Sequence, residues 1–115
     1  MPKNDLAYVI TGAPGSGKTS ILRRLSENGM IFFEEPARAI IAEQRSIDGQ
    51  GIYDRDPYLF KELILSRAVC QYQQAQKQDT ILFFDRGIPD IIAYSQCFGL
   101  PLGAEVKAAK KYRYN

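Results

Sequence analysis

Residues Gly12-Ala13-Pro14-Gly15-Ser16-Gly17-Lys18-Thr19 decide the reading of this chain. They fit the spacing G-x-x-x-x-G-K-[ST], a phosphate-binding loop. The apolar run Leu6-Ala7-Tyr8-Val9-Ile10 leads into it, and Ser20-Ile21-Leu22-Arg23-Arg24-Leu25 leads out. That is the strand, glycine-rich turn and helix such a loop requires. The glycines let main-chain N–H groups approach phosphate oxygens with no Cβ in the way. The helix that follows aims its positive dipole end at the same point. The cradle is expected to run from Gly12 to Ser20, with Lys18 reaching the β- and γ-phosphates of a nucleotide and the Thr19 hydroxyl on Mg²⁺.

Outward from this loop, apolar runs and breakers alternate. Residues 6–11 read as a strand covered on both faces, because no polar residue alternates within them. A helix is expected from about Lys18 to Asn28, with Ile21, Leu22 and Leu25 inward and Gly29 as its left-handed stop. Met30-Ile31-Phe32-Phe33 reads as the second strand, closed by Glu34-Glu35-Pro36, where the proline opens the next helix. Asp56-Pro57 looks like the cap and first residue of a long helix to about Gln76. Leu59, Phe60, Leu63, Ile64 and Cys70 should face inward, and the polar end Gln71–Gln78 should be exposed. Thr80-Ile81-Leu82-Phe83-Phe84 reads as the third strand, and Pro89 opens a helix carrying Ile91, Ile92, Tyr94 and Phe98. A last helix is expected from Ala104 to Tyr112, with Lys107, Lys110 and Lys111 solvated. The alternation predicts one α/β domain over residues 1–115, a P-loop-type parallel sheet flanked by helices.

The 115 residues carry a formal net charge of +2, too little to argue for nucleic acid or an anionic membrane. There is no histidine, which excludes a His-based triad, a His-ligated zinc site and a His general base. The two cysteines, Cys70 and Cys97, have no metal-type spacing and sit among apolar neighbours, so buried free thiols are expected. No apolar stretch approaches the roughly 18 residues of a membrane span, and no signal peptide precedes the loop. A cytoplasmic protein is the simplest expectation.

Ligands of parallel sheets bind at the carboxyl ends of the strands. Gly12, Glu35 and Asp85 each close one strand and should therefore share an edge. Asp85, ending a hydrophobic strand, fits a second Mg²⁺ ligand opposite Thr19; the alternative is a cap for the next helix. Arg86 beside it is a candidate for phosphate binding or transition-state neutralisation, or an ion-pair partner of Asp85 or Glu35. Glu35 is the candidate base for an acceptor hydroxyl, with Glu34 as competitor; strand alternation lets only one face the site. Arg38 and Arg67 are weaker candidates for substrate contact, and snorkelling to solvent is the alternative for both.

At these residues a resemblance enters. Glu35-Pro36 is similar to the Glu-Pro motif of P-loop deoxynucleoside kinases, whose glutamate is the base. Asp85-Arg86 followed by Ala93-Tyr94-Ser95-Gln96 resembles a segment of thymidylate kinases. Leu65-Ser66-Arg67-Ala68 resembles their substrate-side helix, whose arginine contacts the base. Over about residues 6–100 the chain is most similar to the NadR-like, AAA-type group of P-loop ATPases and kinases, on Glu-Glu-Pro-Ala-Arg and Asp-Arg-Gly-Ile-Pro-Asp as well as the loop. The resemblance implies ATP, Mg²⁺ and a small-molecule acceptor, and catalytic roles for Lys18, Glu35 and Arg86. Leu63 departs from it, standing where thymidylate kinases carry a base-stacking aromatic.

Those relatives continue into two further strands and an arginine-bearing lid, so the domain is expected to be incomplete at its C-terminus. In their strand order the P-loop strand would then be an edge, open to pairing with a second chain. Three functions compete: a small-molecule kinase, a nucleotide-binding ATPase or regulatory module, and a remnant that needs a partner to fold.

Overall fold

The computed structural model describes residues 6–12 and 17–114. Ala13, Pro14, Gly15 and Ser16, expected in the phosphate cradle, lie outside the described residues.

The elements run β1 (Ala7–Ile10), α1 (Lys18–Glu27), β2 (Ile31–Phe33), α2 (Pro36–Ser46), α3 (Pro57–Gln76), β3 (Leu82–Asp85), α4 (Ile88–Cys97) and α5 (Ala104–Lys111). The strands form a parallel sheet in the order β1-β3-β2, so β3 is central and β1 is an edge. Register pairs Ile10 with Asp85 and Phe33 with Phe84, which brings the three strand ends level. The architecture is α/β, with a three-stranded parallel sheet and five helices, as expected of a P-loop NTPase-type fold.

Local chemistry accounts for the boundaries. Gly29 takes φ 77°, the left-handed conformation that ends α1. Pro36 begins α2, where its missing N–H would be unsatisfied anyway. The Asp56 side chain accepts from Leu59 N at 3.0 Å and caps α3. None of the helices among the described residues is long and apolar enough to cross a membrane.

The core has two parts. Ala7, Leu82 and Phe84 on one sheet face pack with Ala75 of α3. Leu65, Ala68, Ile88, Ile91 and Ala108 join α3, α4 and α5. Tyr114 bridges the two, with its ring 5.0 Å from that of Phe84. Its hydroxyl accepts from Ile88 N at 3.3 Å. Burial pushes its phenol up to about 12. The segment after α5 therefore folds back onto the sheet.

Several expectations are corrected. β1 is not covered on both faces, because Tyr8 is exposed and Phe83 and Phe32, level with it on the same face, are only half-buried. α1 packs on that side with Leu22 buried, but Ile21 is half exposed. The polar end of α3 is not wholly exposed, since Tyr72 and Ala75 are buried. Tyr72 donates to Arg113 O at 2.8 Å, and its ring meets Tyr112 and Tyr114. Both cysteines are exposed free thiols. An apolar sequence neighbourhood does not bury a helical residue whose angular position faces solvent. Leu59 and Phe98 are likewise exposed.

Candidate functional site

The site forms where β1, β2 and β3 end. α1 starts at Gly17, whose φ of 89° suits glycine and whose missing Cβ leaves open space. Among the described residues no side chain caps α1, which leaves its first N–H groups open to an external acceptor.

Lys18 Nζ donates to Asp85 Oδ1 and lies 4.0 Å from Glu35 Oε2. Arg86 Nε lies 3.2 Å from Glu35 Oε1, and Arg86 Nη2 donates to Gly12 O at 2.9 Å. Two cations and two carboxylates thus close on one another. They come from α1, the β2–α2 junction and the end of β3. Asp85 is buried and does not cap α4. Asp90 performs that task, accepting from Gly87 N at 2.8 Å and from Thr11 Oγ1 at 2.5 Å. Of the alternatives for Arg86, the ion pair with Glu35 is the one present here, beside the bond to Gly12 O. Arg86 adopts φ 68°, uncommon for a residue with a Cβ. Its N–H bonds Ile10 O at 2.9 Å, so the sheet ladder holds the strained turn in place.

Of the two glutamates, Glu35 enters the site. Glu34 is exposed, and its carbonyl accepts from Gln71. Thr19, Asp85, Glu35 and Arg38 line one small cleft of about 190 Å³. Ser20, in the first turn of α1, is exposed. Arg67 is held elsewhere, in a two-pronged pair with Glu43 at 2.7 and 3.2 Å. The hydrogen bond to Arg67 lowers the Glu43 carboxyl, and the same bond raises Arg67.

Beside this cluster, α2, α3 and α4 enclose a second cleft of about 350 Å³. Glu35, Arg86 and Asp90 stand at its polar end; Phe60, Ile64, Tyr94 and Phe98 form much of the rest. Sequence reasoning took Phe60 and Ile64 as inward-facing, noted Tyr94 only on its helix and in the Ala93–Gln96 segment, and overlooked Tyr53 and Asp90. The quoted Asp-Arg-Gly-Ile-Pro-Asp segment held Asp90 in view, but only the fold brings it to Thr11.

Residues 7–115 match the family model of an AAA domain. The chain belongs to that family. It is a P-loop nucleotide-binding domain, and the cluster around Lys18 sits where the β1–α1 loop of such a domain works. No curated protein and no solved structure matches this AAA domain.

The residues present fit a magnesium nucleotide. Among the described residues no group of three His, Cys, Asp or Glu could hold a metal unaided. A hydroxyl and a carboxylate sharing a cleft, Thr19 and Asp85, suit Mg²⁺ that takes its other ligands from phosphate and water.

Proposed function

We propose that this AAA domain is an ATP- and Mg²⁺-dependent phosphotransferase acting on a small-molecule acceptor of nucleoside size. One observation carries the reading: Glu35 lines both clefts. A single carboxylate thereby touches the phosphate side, through Lys18 and Arg86, and the enclosed acceptor side. A domain that only bound or hydrolysed nucleotide has no need of the second cleft.

In this reading Lys18 holds the phosphates, and Thr19 and Asp85 hold Mg²⁺. Bound Mg²⁺·ATP supplies the transferable phosphoryl group and much of its charge neutralisation. Glu35 accepts the proton of the acceptor hydroxyl and orients its oxygen toward the phosphate side. Arg86 aims Glu35 through their ion pair and offers charge beside the transferred group. The apolar walls of the second cleft exclude water from that group. Arg38, in the phosphate-side cleft, is a candidate for contact with a phosphate. Arg67 has no such role here, because Glu43 occupies its guanidinium.

Two titrations test the reading. Calorimetric binding of ATP with Mg²⁺ should disappear in Lys18→Ala. Glu35→Gln should lower phosphoryl transfer by about 10²–10⁴-fold, the usual worth of a general base, while ATP affinity stays within a few-fold. Equal loss of binding and transfer would remove Glu35 from the role of base. ATP hydrolysis indifferent to every acceptor would favour the regulatory ATPase instead.

A further inference from the structure

The acceptor cleft is chemically lopsided. Its charged groups, Glu35, Arg86 and Asp90, lie together beside the strand ends, and among the described residues no Asn, Gln, Ser or Thr lines it. Beyond that end the polar side-chain atoms are two phenol oxygens. That of Tyr53 is 3.5 Å from Arg45 Nη2. That of Tyr94 is buried and has no hydrogen-bond partner among the described residues.

Polar side chains on the neighbouring helices are committed elsewhere. Arg67 is clamped by Glu43, Gln44 Oε1 accepts from Gly51 N at 3.0 Å, and Gln71 donates to Glu34 O at 3.0 Å. The Asp90 oxygens accept from Thr11 and Gly87.

A nucleobase carries several donors and acceptors around its edge, and recognition of a base meets them with hydrogen bonds. Those turned toward the apolar walls would go unpaired, each weakening binding by about tenfold. An aromatic hydrocarbon face suits the walls instead. The rings of Phe60 and Tyr94 meet edge-on at 6.1 Å, and those of Tyr94 and Phe98 lie 4.7 Å apart. The orphaned Tyr94 hydroxyl asks for one partner.

We propose, resting on the phosphotransferase reading, that the acceptor is a largely apolar, planar ring compound and not a nucleoside. It bears a hydroxyl at the Glu35–Arg86 end and one hydrogen-bonding group for Tyr94. In the transfer the hydroxyl oxygen forms a bond to the γ-phosphorus, the bond from that phosphorus to the bridging oxygen of ATP breaks, and ADP leaves. The hydroxyl proton goes to Glu35.

The test is equilibrium binding to the full chain without nucleotide, followed by naphthalene emission. The probes are 2-(1-naphthyl)ethanol, a set of quinolinylethanol isomers that add one ring nitrogen, and thymidine and adenosine as competitors. The expected result is saturable binding of naphthylethanol, with both nucleosides at least about tenfold weaker. Ala37→Phe, which adds a ring to the lining of the cleft at a half-buried position, should abolish it and leave Mg²⁺·ATP binding intact. The best quinoline isomer should bind more tightly than naphthylethanol, and Tyr94→Phe should erase that preference.

The proposal is overturned by a nucleoside binding as tightly as naphthylethanol or by absence of saturable naphthylethanol binding. Binding indifferent to Ala37→Phe, or a quinoline preference retained in Tyr94→Phe, overturns it equally. Phosphoryl transfer from Mg²⁺·ATP is measured separately. Binding without transfer to the bound alcohol would refute the phosphotransferase reading and leave the ligand class standing.

Discussion

Replacing Glu105 by alanine would strand a cation in the protein interior. Lys61 on α3 and Glu105 on α5 are both fully buried, with Nζ 3.0 Å from Oε2. Glu105 also accepts from Ser95 Oγ at 2.6 Å and from Gly103 N at 2.7 Å. Lys61 donates to Pro101 O at 2.8 Å and lies 4.3 Å from the centre of the Tyr58 ring. The pair therefore joins α3, α4, α5 and the loop before α5. At 3.0 Å and an effective dielectric of about 20, the attraction is about 5–6 kcal/mol before desolvation. Removing one partner of a buried pair costs about 3–5 kcal/mol, because the other charge is left uncompensated.

Glu105→Ala is expected to lie in that range, a large share of the roughly 5–15 kcal/mol that holds a domain together. The double variant Lys61→Met/Glu105→Leu should recover at least about 2 kcal/mol of the loss, since it buries no charge. Urea unfolding followed by circular dichroism gives both numbers. If the single variant cannot fold, the double variant still can, and its stability carries the comparison.

Acid offers a second readout. Burial pushes the Glu105 carboxyl up, but the bonds from Ser95, Lys61 and Gly103 together outweigh it and hold the group at about 2 against an ordinary 4.5. The folded value is the lower one. The stabilisation is therefore present above pH 4.5 and is lost as the pH falls toward 2. A Glu105→Ala cost below about 1 kcal/mol, or a double variant worse than the sum of the singles, would refute the reasoning.

Alkaline unfolding should report on Tyr114, whose phenol sits at about 12 against an ordinary 10.0. Its folded value is raised, so its share of stability is whole below pH 10 and is lost as the pH climbs toward 12; a wild-type curve no steeper than that of Tyr114→Phe would count against this. Arg86→Gly should change stability by less than about 1 kcal/mol, because relief of the strained φ offsets the lost ion pair. The same variant should lose at least about a hundredfold in transfer, and parallel loss of fold and activity would contradict it. Cys70 and Cys97 are both exposed, so a thiol reagent should label both in the native chain as fast as in urea; protection of either would move it into the core.

The loop from Gly12 to Thr19, the order of strands and helices, and the stops at Gly29, Pro36 and Asp56 were legible in the residues. Each depends on a neighbour within a few positions, and local sterics and capping decide it. The shared edge of Gly12, Glu35 and Asp85 was legible too, because a parallel sheet brings its carboxyl ends together. Side-chain partners across the fold were not. Nothing near Arg67 announces Glu43, 24 residues away, and nothing near Lys61 announces Glu105. Tyr94 could be placed on its helix, but only the packed fold turns it into a cleft and leaves its hydroxyl with no hydrogen-bond partner among the described residues.

The sequence by itself determined that a nucleotide-binding loop joins a strand to a helix, because glycines and a lysine at that spacing carry their chemistry locally. Only the tertiary structure decided that Glu35 touches both clefts, that Arg67 is occupied by Glu43, and that the larger cleft between α2, α3 and α4 is mostly apolar. Those facts depend on which helix faces pack together, and packing is a property of the whole chain.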